Sequence, residues 1–320
     1  MSKKTKIWLI IATCLVLVGC IVLGGVMAML KWDFKKLSTT KFMTNEHKIS
    51  ENFSNISMDT DTAKITFALS NDGLCKVECF EDIKAKHSVT VEDDTLIIKL
   101  VGEKAWYDHI GINFHSPQIT VYLPETEYGA LNITEDTGDI EIPQNFKFQS
   151  VDLTLSTGDV RFLASASGLV KIKTSTGHIC LENISAEMLD LHTTTGNISV
   201  SNANCAGDVS ATVSTGKTSL ANITCKNLTS IGNTGDITLK NVIASEQFSI
   251  KRSTGDVKLD GCDAAEIRIE TDTGDVKGTL LTDKVFMAQT DTGRIDVPKT
   301  VTGGKCEVTT DTGDIKFTVE

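Results

Sequence analysis

Aspartates recur at one fixed place in residues 131–320 of this 320-residue chain, directly after a Thr-Gly pair. They are Asp139, Asp159, Asp236, Asp256, Asp275 and Asp314. Carboxylates stacked in a column repel one another, and a hard cation such as Ca²⁺ would relieve that repulsion. Lys217 and Arg294 interrupt the column, and its spacing differs from the glycine-rich nonapeptide of calcium-binding β-rolls. We therefore favour solvated turn residues and predict no metal site, with calcium binding as the alternative.

No pattern in the sequence matches a catalytic or zinc-binding arrangement. The histidines do not show the short spacings at which zinc ligands recur. They are His47, His87, His109, His115, His178 and His192. There is no Gly-x-Ser-x-Gly motif and no recognisable Cys–His signature. We therefore predict no catalytic residue and no cofactor. A polysaccharide-cleaving solenoid, which would need acids on long loops, is the enzymatic alternative.

Two of the nine cysteines are expected to be neighbours. Cys205 and Cys225 each lie nine residues after a Thr-Gly glycine, so they should occupy adjacent repeats. Adjacent strands bring Cα atoms within disulfide range. A disulfide and two buried thiols both remain open, and we favour the thiols. Cys75 and Cys79, four residues apart on one strand, are too distant to bond each other.

One irregular stretch is rich in aromatic residues. Trp106, Tyr107 and Phe114 lie near His109. Such side chains can form a binding surface. They can also close the open end of a repeat core, and we favour this second interpretation.

The elements that would position these residues follow from the repeat itself. Ten Thr-Gly pairs recur at intervals of 19 or 20 residues. Their glycines are Gly138, Gly158, Gly177, Gly196, Gly216, Gly235, Gly255, Gly274, Gly293 and Gly313. A regular period of this length without a helical signature indicates a stack of similar β-rungs. Glycine supplies the backbone conformation of a tight corner, and the polar residues beside it can bond nearby backbone amides.

Apolar residues keep fixed distances from each glycine, at seven and five residues before it and two and four residues after it. In the first rung they are Leu131, Ile133, Ile140 and Ile142. A spacing of two is that of a β-strand, so each rung should hold two short strands. Residues 61–63 resemble a degenerate corner. The prediction is an all-β, single-stranded parallel β-solenoid in which successive rungs stack about 4.8 Å apart.

A long apolar run precedes the β-region. Ile7–Leu30 is uncharged and long enough for one transmembrane helix. The short, lysine-rich tail before it favours a cytoplasmic N-terminus and an extracytoplasmic β-domain. A cleaved signal peptide and a lipoprotein with lipidated Cys20 are the alternatives. We predict a cytoplasmic tail (1–6), a transmembrane helix (7–30), a basic membrane-proximal linker (31–48), an N-terminal β-region capping the solenoid (49–130) and the ten-rung solenoid (131–320).

Charge is divided unevenly along the chain, whose formal net charge is −11. Residues 1–48 carry a net charge of +6 and the remaining residues −17. The basic segment suits an anionic membrane surface. The strongly acidic β-region argues against nucleic acid as a partner.

The order of several motifs resembles a bacterial family. An acidic turn before LIIKL is followed by AWYDHIGINF, SPQITVYLP, EYGALNI and then repeated TGDI. This order is similar to the DUF4097 family, bacterial proteins described as candidate adhesins with β-strand repeats. The resemblance covers about residues 50–320. It implies a right-handed parallel β-solenoid in a bacterial envelope, in some members beside regulators of envelope stress, and no catalytic residue or defined ligand.

The expected function is a structural, adhesin-like or binding role of a membrane-anchored extracytoplasmic rod at the bacterial cell surface. A non-enzymatic accessory sensor or scaffold of an envelope-stress regulatory system is the alternative. Expected partners are the membrane, through a single-pass anchor, and an envelope or cell-surface protein or polymer. Because an uncovered rung exposes unpaired strand edges, end-to-end association through the C-terminal rung is also expected.

Overall fold

The computed structural model describes residues 2–33, 40–102 and 115–320. The helix is α1 (Lys3–Met29). The strands before the first Thr-Gly rung are β1 (Phe42–Ile49), β2 (Asn55–Thr62), β3 (Lys64–Leu69), β4 (Cys75–Asp82), β5 (Lys86–Glu92), β6 (Thr95–Val101) and β7 (Gln118–Leu123). The strands that follow are β8 (Glu127–Thr137), β9 (Ile140–Ile142), β10 (Lys147–Thr157), β11 (Val160–Phe162), β12 (Ser165–Ala166), β13 (Leu169–Thr176), β14 (Ile179–Ala186), β15 (Met188–Thr195), β16 (Ile198–Cys205), β17 (Val209–Thr215), β18 (Thr218–Thr234), β19 (Ile237–Thr254), β20 (Val257–Cys262), β21 (Glu266–Thr273), β22 (Val276–Leu280), β23 (Lys284–Thr292), β24 (Ile295–Asp296), β25 (Gly304–Thr312) and β26 (Ile315–Val319).

The helix α1 is continuous and apolar. Ser2 caps its N-terminus, where the side-chain oxygen accepts a hydrogen bond from the backbone N–H of Thr5 at 3.2 Å. Its most apolar 18-residue window has a mean hydropathy of 2.8 and is not buried by protein. Its 27 residues span roughly 40 Å at 1.5 Å per residue. The helix is therefore long and apolar enough to cross a membrane, and it begins at Lys3 instead of the expected Ile7.

Each glycine-marked segment forms one rung of two strands joined at a corner. In the first such rung β8 ends at Thr137, and β9 begins at Ile140 after the corner. First strands of neighbouring rungs pair in parallel, as β10 does with β8 and β13. Second strands do the same, as β11 does with β9 and β14. Equivalent residues therefore stack on one another, which confirms the predicted parallel solenoid.

The apolar core runs along the inside of this stack. All four predicted inward positions are buried in every rung from Gly138 to Gly255 and in the rung of Gly313. Each buried aliphatic side chain stabilises the fold by roughly 1.5–3 kcal/mol. In the rung of Gly293 the corresponding positions are partly exposed; Ile295, for example, is 46% exposed.

The stack continues N-terminally beyond the first Thr-Gly pair. β2 and β3 form a further rung, in which Thr62 pairs with Thr137 and Ile65 with Ile140. Ala63 therefore occupies the corner position, as the degenerate-corner interpretation proposed. This rung is covered by later strands, because β6 pairs with β2 and β7 pairs with β3.

Antiparallel strands close the N-terminal end. β5 pairs with β6, β4 pairs with β7, and β1 pairs with β4. All of β1 except Ile49 falls inside the predicted linker 31–48, so the β-structure begins earlier than expected. This strand lacks a clear alternation of apolar residues, because two of its inward positions are the polar residues Asn45 and His47.

The last two rungs are exchanged relative to the sequence. β25 lies between β21 and β23, and β26 lies between β22 and β24. The rung of Gly313 therefore stacks on that of Gly274, and the rung of Gly293 lies beyond it. The expectation that the C-terminal rung forms the open end is wrong, because that rung is covered on both sides. Among the described strands, none pairs with the outer edge of β23 or β24.

Candidate functional sites along the rod

The corner glycines form a line along one edge of the rod. A Cβ added at any of the ten would lie 1.8–2.3 Å from the backbone carbonyl oxygen of the corner residue in the neighbouring rung. At Gly216 that distance is 1.8 Å to Gly196, and φ is +142°. Both the close approach and the backbone conformation therefore require glycine.

A ladder of side chains runs beside this line. The Oδ1 atom of Asp139 accepts a hydrogen bond from the backbone N–H of Asp159 at 2.9 Å, and Asp159 Oδ1 accepts from the N–H of His178 at 2.7 Å. The ladder continues because Nδ1 of His178 accepts from the N–H of Asn197 at 2.9 Å. Asn197 Oδ1 accepts in turn from Lys217 at 2.8 Å. The corner residues thus satisfy backbone donors of the next rung, as their residue types predict.

The C-terminal half of the ladder shows the exchanged order of rungs. Asp256 Oδ1 accepts from the N–H of Asp275, and Asp275 Oδ1 accepts from that of Asp314, both at 2.9 Å. Asp314 Oδ1 then accepts from the N–H of Arg294 at 2.9 Å. Along the stack, therefore, the corner of Asp275 contacts that of Asp314, and the corner of Asp314 contacts that of Arg294.

The ladder bears on the cation interpretation of the aspartate column. One carboxylate oxygen of each of the six corner aspartates accepts a hydrogen bond from a backbone amide. In Asp236 and Asp275 a lysine also lies beside the second oxygen. Lys277, helped by the N–H of Asp314, holds the pKa of Asp275 below its usual range. Lys217, helped by the N–H of Asp256, does the same for the pKa of Asp236. The corner carboxylates therefore already have partners within the chain.

A second ladder lies at another bend of the rungs. The amide Nδ2 of Asn202 donates to Oδ1 of Asn183 at 2.9 Å, Asn222 donates to Asn202 at 2.8 Å, and Asn241 donates to Asn222 at 3.0 Å. All four residues have φ between +51° and +56°. Asparagine tolerates this left-handed conformation better than most residues. In the sequence, an Asn lies six residues after the corner glycine in each of four consecutive rungs.

Cys205 and Cys225 occupy neighbouring rungs, as their spacing predicts. Asn204 pairs with Thr224, which places the two cysteines side by side. Both thiols are free and buried. Burial raises the pKa of the Cys225 thiol to about 12, and Cys205 adds to this effect. Cys205 and Cys225 are therefore two buried thiols, which is the alternative to a disulfide that the sequence analysis favours.

Two ionisable residues, each three residues before the corner glycine of its rung, have side chains buried in the core. Glu135 is buried, and its carboxylate accepts hydrogen bonds from the hydroxyl of Thr60 and, at 2.9 Å, from the backbone N–H of Ala63. Burial raises the pKa of Glu135 to about 8. Arg252 is also buried, and its guanidinium passes over Gly232, where a Cβ would lie 1.7 Å from Nη1. Gly232 therefore makes room for Arg252.

The guanidinium of Arg252 reaches two acceptors in the rung of Gly216. Nη1 donates to the backbone carbonyl of Val213 at 3.1 Å, and Nη2 donates to the hydroxyl of Thr218 at 3.0 Å. Burial lowers the pKa of Arg252, and Asp236 opposes this effect. These contacts join rungs around Arg252, so its role is structural.

A groove of about 410 Å³ lies near the N-terminal end, between β1 and the turn after β3. Leu74, which is 61% exposed, and Tyr122 line it together with Glu46, Asp72 and Lys76. The hydroxyl of Ser70 and the N–H of Leu74 hold the pKa of Asp72 below its usual range. Asp72 is therefore poorly suited to act as a general acid.

The aromatic stretch with Trp106, Tyr107, His109 and Phe114 lies outside the described residues. The adjacent His115 is described, and its ring lies 5.7 Å from Phe42 and 6.0 Å from Phe80.

Comparison with known proteins decides the family. A model of the DUF4097 family, described as Toastrack DUF4097, matches residues 53–212 and 206–320. The chain belongs to the DUF4097 family. The Toastrack match includes β2 and β3 as well as the rungs marked by glycine, so the resemblance suggested by the motif order is confirmed. No curated protein matches the chain.

Several solved structures of bacterial proteins are similar to this Toastrack chain. A candidate adhesin from Bacteroides fragilis is 19% identical, with a TM-score of 0.43, and the match covers 87% of this chain and 97% of the other. A candidate adhesin from Parabacteroides distasonis is 11% identical, with a TM-score of 0.39, covering 85% and 98%. A candidate lipid-binding protein from Parabacteroides distasonis is 13% identical, with a TM-score of 0.41, covering 87% and 98%.

Proposed function

We propose that this Toastrack protein is a membrane-anchored extracytoplasmic rod with a structural or adhesin-like binding role at the bacterial cell surface. The observation that carries the proposal is that α1 has an apolar window left unburied by protein, followed by a rod whose rungs are joined by side-chain ladders. A lipid bilayer is the environment that such a helix suits. The rod would then hold its binding surface away from the membrane.

The proposed action is binding and not catalysis. The corner aspartates are engaged by backbone amides, and the buried Glu135 and Arg252 bond to other rungs. A rod of this kind is rigid and nearly uniform, which suits display of a surface and leaves few groups to act on a substrate.

The free end of the rod is the proposed contact with a second copy of the chain. Its terminal strand β23 has an unpaired outer edge among the described strands, and Ile295 of the same rung is 46% exposed. An exposed strand edge of this kind is a template for strand pairing. The contact therefore involves the rung of Gly293, in place of the C-terminal rung that the sequence suggested.

Cell labelling tests the anchor and its orientation. In a Cys180→Ser background, we would introduce Lys258→Cys on the rod and, separately, Ser2→Cys before α1. A membrane-impermeant maleimide should label only Lys258→Cys in intact cells, or in spheroplasts where an outer barrier exists, and both sites after lysis. The protein should sediment with membranes. Labelling of Ser2→Cys alone in intact cells, or release of the rod into the medium, would contradict the proposal.

Light scattering and capture test the binding role. The full chain in detergent should form dimers or larger species, and Ile295→Lys should make it monomeric. Met188→Lys is a matched control, because Met188 is 41% exposed but lies in the middle of the rod. Capture of wall polymer or surface protein by the wild type supports the adhesive role. Exclusive recovery of membrane regulators would favour the sensor or scaffold alternative.

A further inference from the structure

The ends of four strands meet where the chain enters the antiparallel cap. β1 begins there, beside the end of β4. β5 also begins there, and its first residue, Lys86, pairs with Val101 at the end of β6. The backbone N–H of Ile83 donates to the carbonyl of Lys41 at 3.0 Å, so the turn between β4 and β5 lies against the start of β1. We call this end of the cap the entry tip, and it comprises residues 41–42, 82–86 and 101.

The entry tip presents apolar side chains among cations. Ile83 is 44% exposed and Val101 is 54% exposed, and we call these two residues the apolar pair. Three exposed lysines lie beside them, namely Lys41, Lys84 and Lys86. Exposed apolar side chains with a polar rim mark interaction sites on proteins or membranes. A lipid surface suits this combination, because it offers hydrocarbon directly beneath its charged headgroups.

The charge of the entry tip is opposite to that of the rest of the β-region. Residues 49–320 carry a net charge of −17, whereas the tip holds three lysines and one aspartate, Asp82. That aspartate is 6% exposed, and its Oδ1 accepts the backbone N–H of Lys84 at 3.0 Å. Among the described residues, no carboxylate forms an ion pair with Lys41 or Lys86. The tip is therefore a basic surface at one end of an acidic rod, which complements an anionic partner.

The connection to α1 keeps the entry tip within reach of a bilayer, an argument that rests on the proposed membrane anchor. Trp32 follows the end of α1 and is 65% exposed, at a position where aromatic residues commonly lie at the headgroup level. Lys41 comes nine residues later. A fully extended chain of nine residues spans at most about 32 Å. The entry tip can therefore touch the lipid surface without any rearrangement of the rod.

We propose that the entry tip docks on an anionic phospholipid bilayer. The apolar pair enters the headgroup region, and the three lysines contact lipid phosphates. Each lysine near such a surface strengthens binding about fivefold. The contact gives the rod a second attachment to the membrane besides α1, so the rod keeps a defined angle to the lipid surface.

A second copy of the chain is the alternative occupant of the entry tip. Two tips carry the same charge and repel each other, so this contact would have to join one tip to the acidic rod of another chain. The two occupants differ in what controls them. Docking on lipid depends on the charge of the lipid, whereas a contact between chains does not.

Spin-label depth measurements on the full chain in lipid discs test the proposal. Cys14, Cys20 and Cys180, which are exposed or half-buried, would be replaced, and a nitroxide attached to Ile83→Cys. In discs with phosphatidylglycerol, oxygen, which partitions into lipid, should relax this label more than a water-soluble nickel chelate does. The chelate should dominate in phosphatidylcholine discs, and also in about 1 M salt, where the Debye length is about 3 Å. Met188→Cys is the matched control, because Met188 is 41% exposed in the middle of the rod and should stay in water throughout.

Charge variants test the part played by the lysines. Lys41→Gln/Lys86→Gln should lower the ratio of docked to free label about 25-fold in phosphatidylglycerol discs. Lys240→Gln/Lys258→Gln is the matched control, since both lysines are exposed further along the rod and their loss should leave the ratio unchanged. Val101→Cys supplies a second label position, so the result does not depend on replacing Ile83.

Four results would overturn the proposal. Labels at both positions that remain open to the nickel chelate in phosphatidylglycerol discs would exclude docking, while retention of the chain in the discs would leave the anchor standing. Protection from both reagents, equal in the two kinds of disc, would mean that another chain covers the tip. An equal effect of the two lysine pairs would mean that overall charge, and not the tip, draws the rod to lipid. A chain that does not enter discs would contradict the anchor, and the docking with it.

Discussion

Gly313 lies directly against Gly274, although 39 residues separate their corners in the sequence. The backbone N–H of Gly274 donates to Thr312 at 2.9 Å, and the N–H of Gly313 donates to Thr292 at 3.0 Å. The rung of Gly313, which comes last in the sequence, thus lies between the rungs of Gly274 and Gly293. The N-terminal end shows the same device, because β6 and β7 cover the earlier rung of β2 and β3. At each end of the stack, the rung that comes first or last in the sequence is therefore covered on both sides, and a different rung lies at the edge.

The first prediction concerns pH and the buried Glu135. Its pKa rises from the ordinary 4.5 to about 8 in the folded chain. Between these values the unfolded chain loses a proton that the folded chain keeps, so stability falls as pH rises from about 4.5 to about 8. Glu135→Gln cannot ionise, so it should match the wild type at pH 4 and exceed it at pH 9 by about 1.4 kcal/mol per unit of pKa shift.

Denaturant unfolding of both proteins at the two pH values would measure this difference. Glu141→Gln is a suitable control, because Glu141 is partly exposed and should show no comparable pH-dependent gain. A Glu135→Gln variant less stable than the wild type at pH 9 would contradict the account of this buried carboxyl.

The second prediction concerns the asparagine ladder. Asn202 combines a left-handed backbone with amide bonds to Asn183 and Asn222. Asn202→Gly keeps the conformation and loses the amide bonds, so it should cost about 1–2 kcal/mol. Asn202→Ala loses both and should cost about 1 kcal/mol more. Equal stability of the two variants in thermal unfolding would show that the left-handed conformation has no energetic weight at this bend.

The third prediction concerns the ion pair that ties down the terminal rung. Nζ of Lys284, on β23, lies 2.6 Å from Oδ1 of Asp263, which follows β20. The side chain of Lys284 is 4% exposed. Asp263→Ala leaves a buried ammonium unpaired and should cost about 3–5 kcal/mol. Adding Lys284→Met removes the stranded charge and should recover most of the loss.

Hydrogen exchange would show where that loss falls. Amides of β23 should exchange faster in Asp263→Ala, while those of β15, in the middle of the rod, should keep wild-type protection. If the double variant is as unstable as Asp263→Ala alone, the stranded charge is not the cause.

Local patterns predicted most of the rod. Inward positions such as Leu131 and Ile140 are set by strand alternation, and a polar residue after a corner glycine has few partners other than nearby amides. The asparagine ladder also has a spacing signal, an Asn six residues after the glycine, but the spacing does not reveal that the side-chain amides of Asn183 and its equivalents bond to one another.

The order in which the rungs stack could not be predicted in the same way. The interval from Gly293 to Gly313 is 20 residues, like several others, so it carries no sign that the last two rungs are exchanged. The strand pairing, the corner hydrogen bonds and the burial of Phe317 against the exposure of Ile295 show the order in the structure.

Engineered disulfides test the stacking order most directly. Glu307 pairs with Arg268 on one side and with Met287 on the other. Adjacent rungs lie about 4.8 Å apart and alternate rungs about 9.6 Å apart, while a disulfide spans Cα atoms up to about 7 Å apart. Oxidised Arg268→Cys/Glu307→Cys and Met287→Cys/Glu307→Cys should each form a crosslink detectable by peptide mass spectrometry, and Arg268→Cys/Met287→Cys should not. Efficient crosslinking of Arg268→Cys with Met287→Cys, and none of Arg268→Cys with Glu307→Cys, would mean that the rungs stack in sequence order and would contradict the structure.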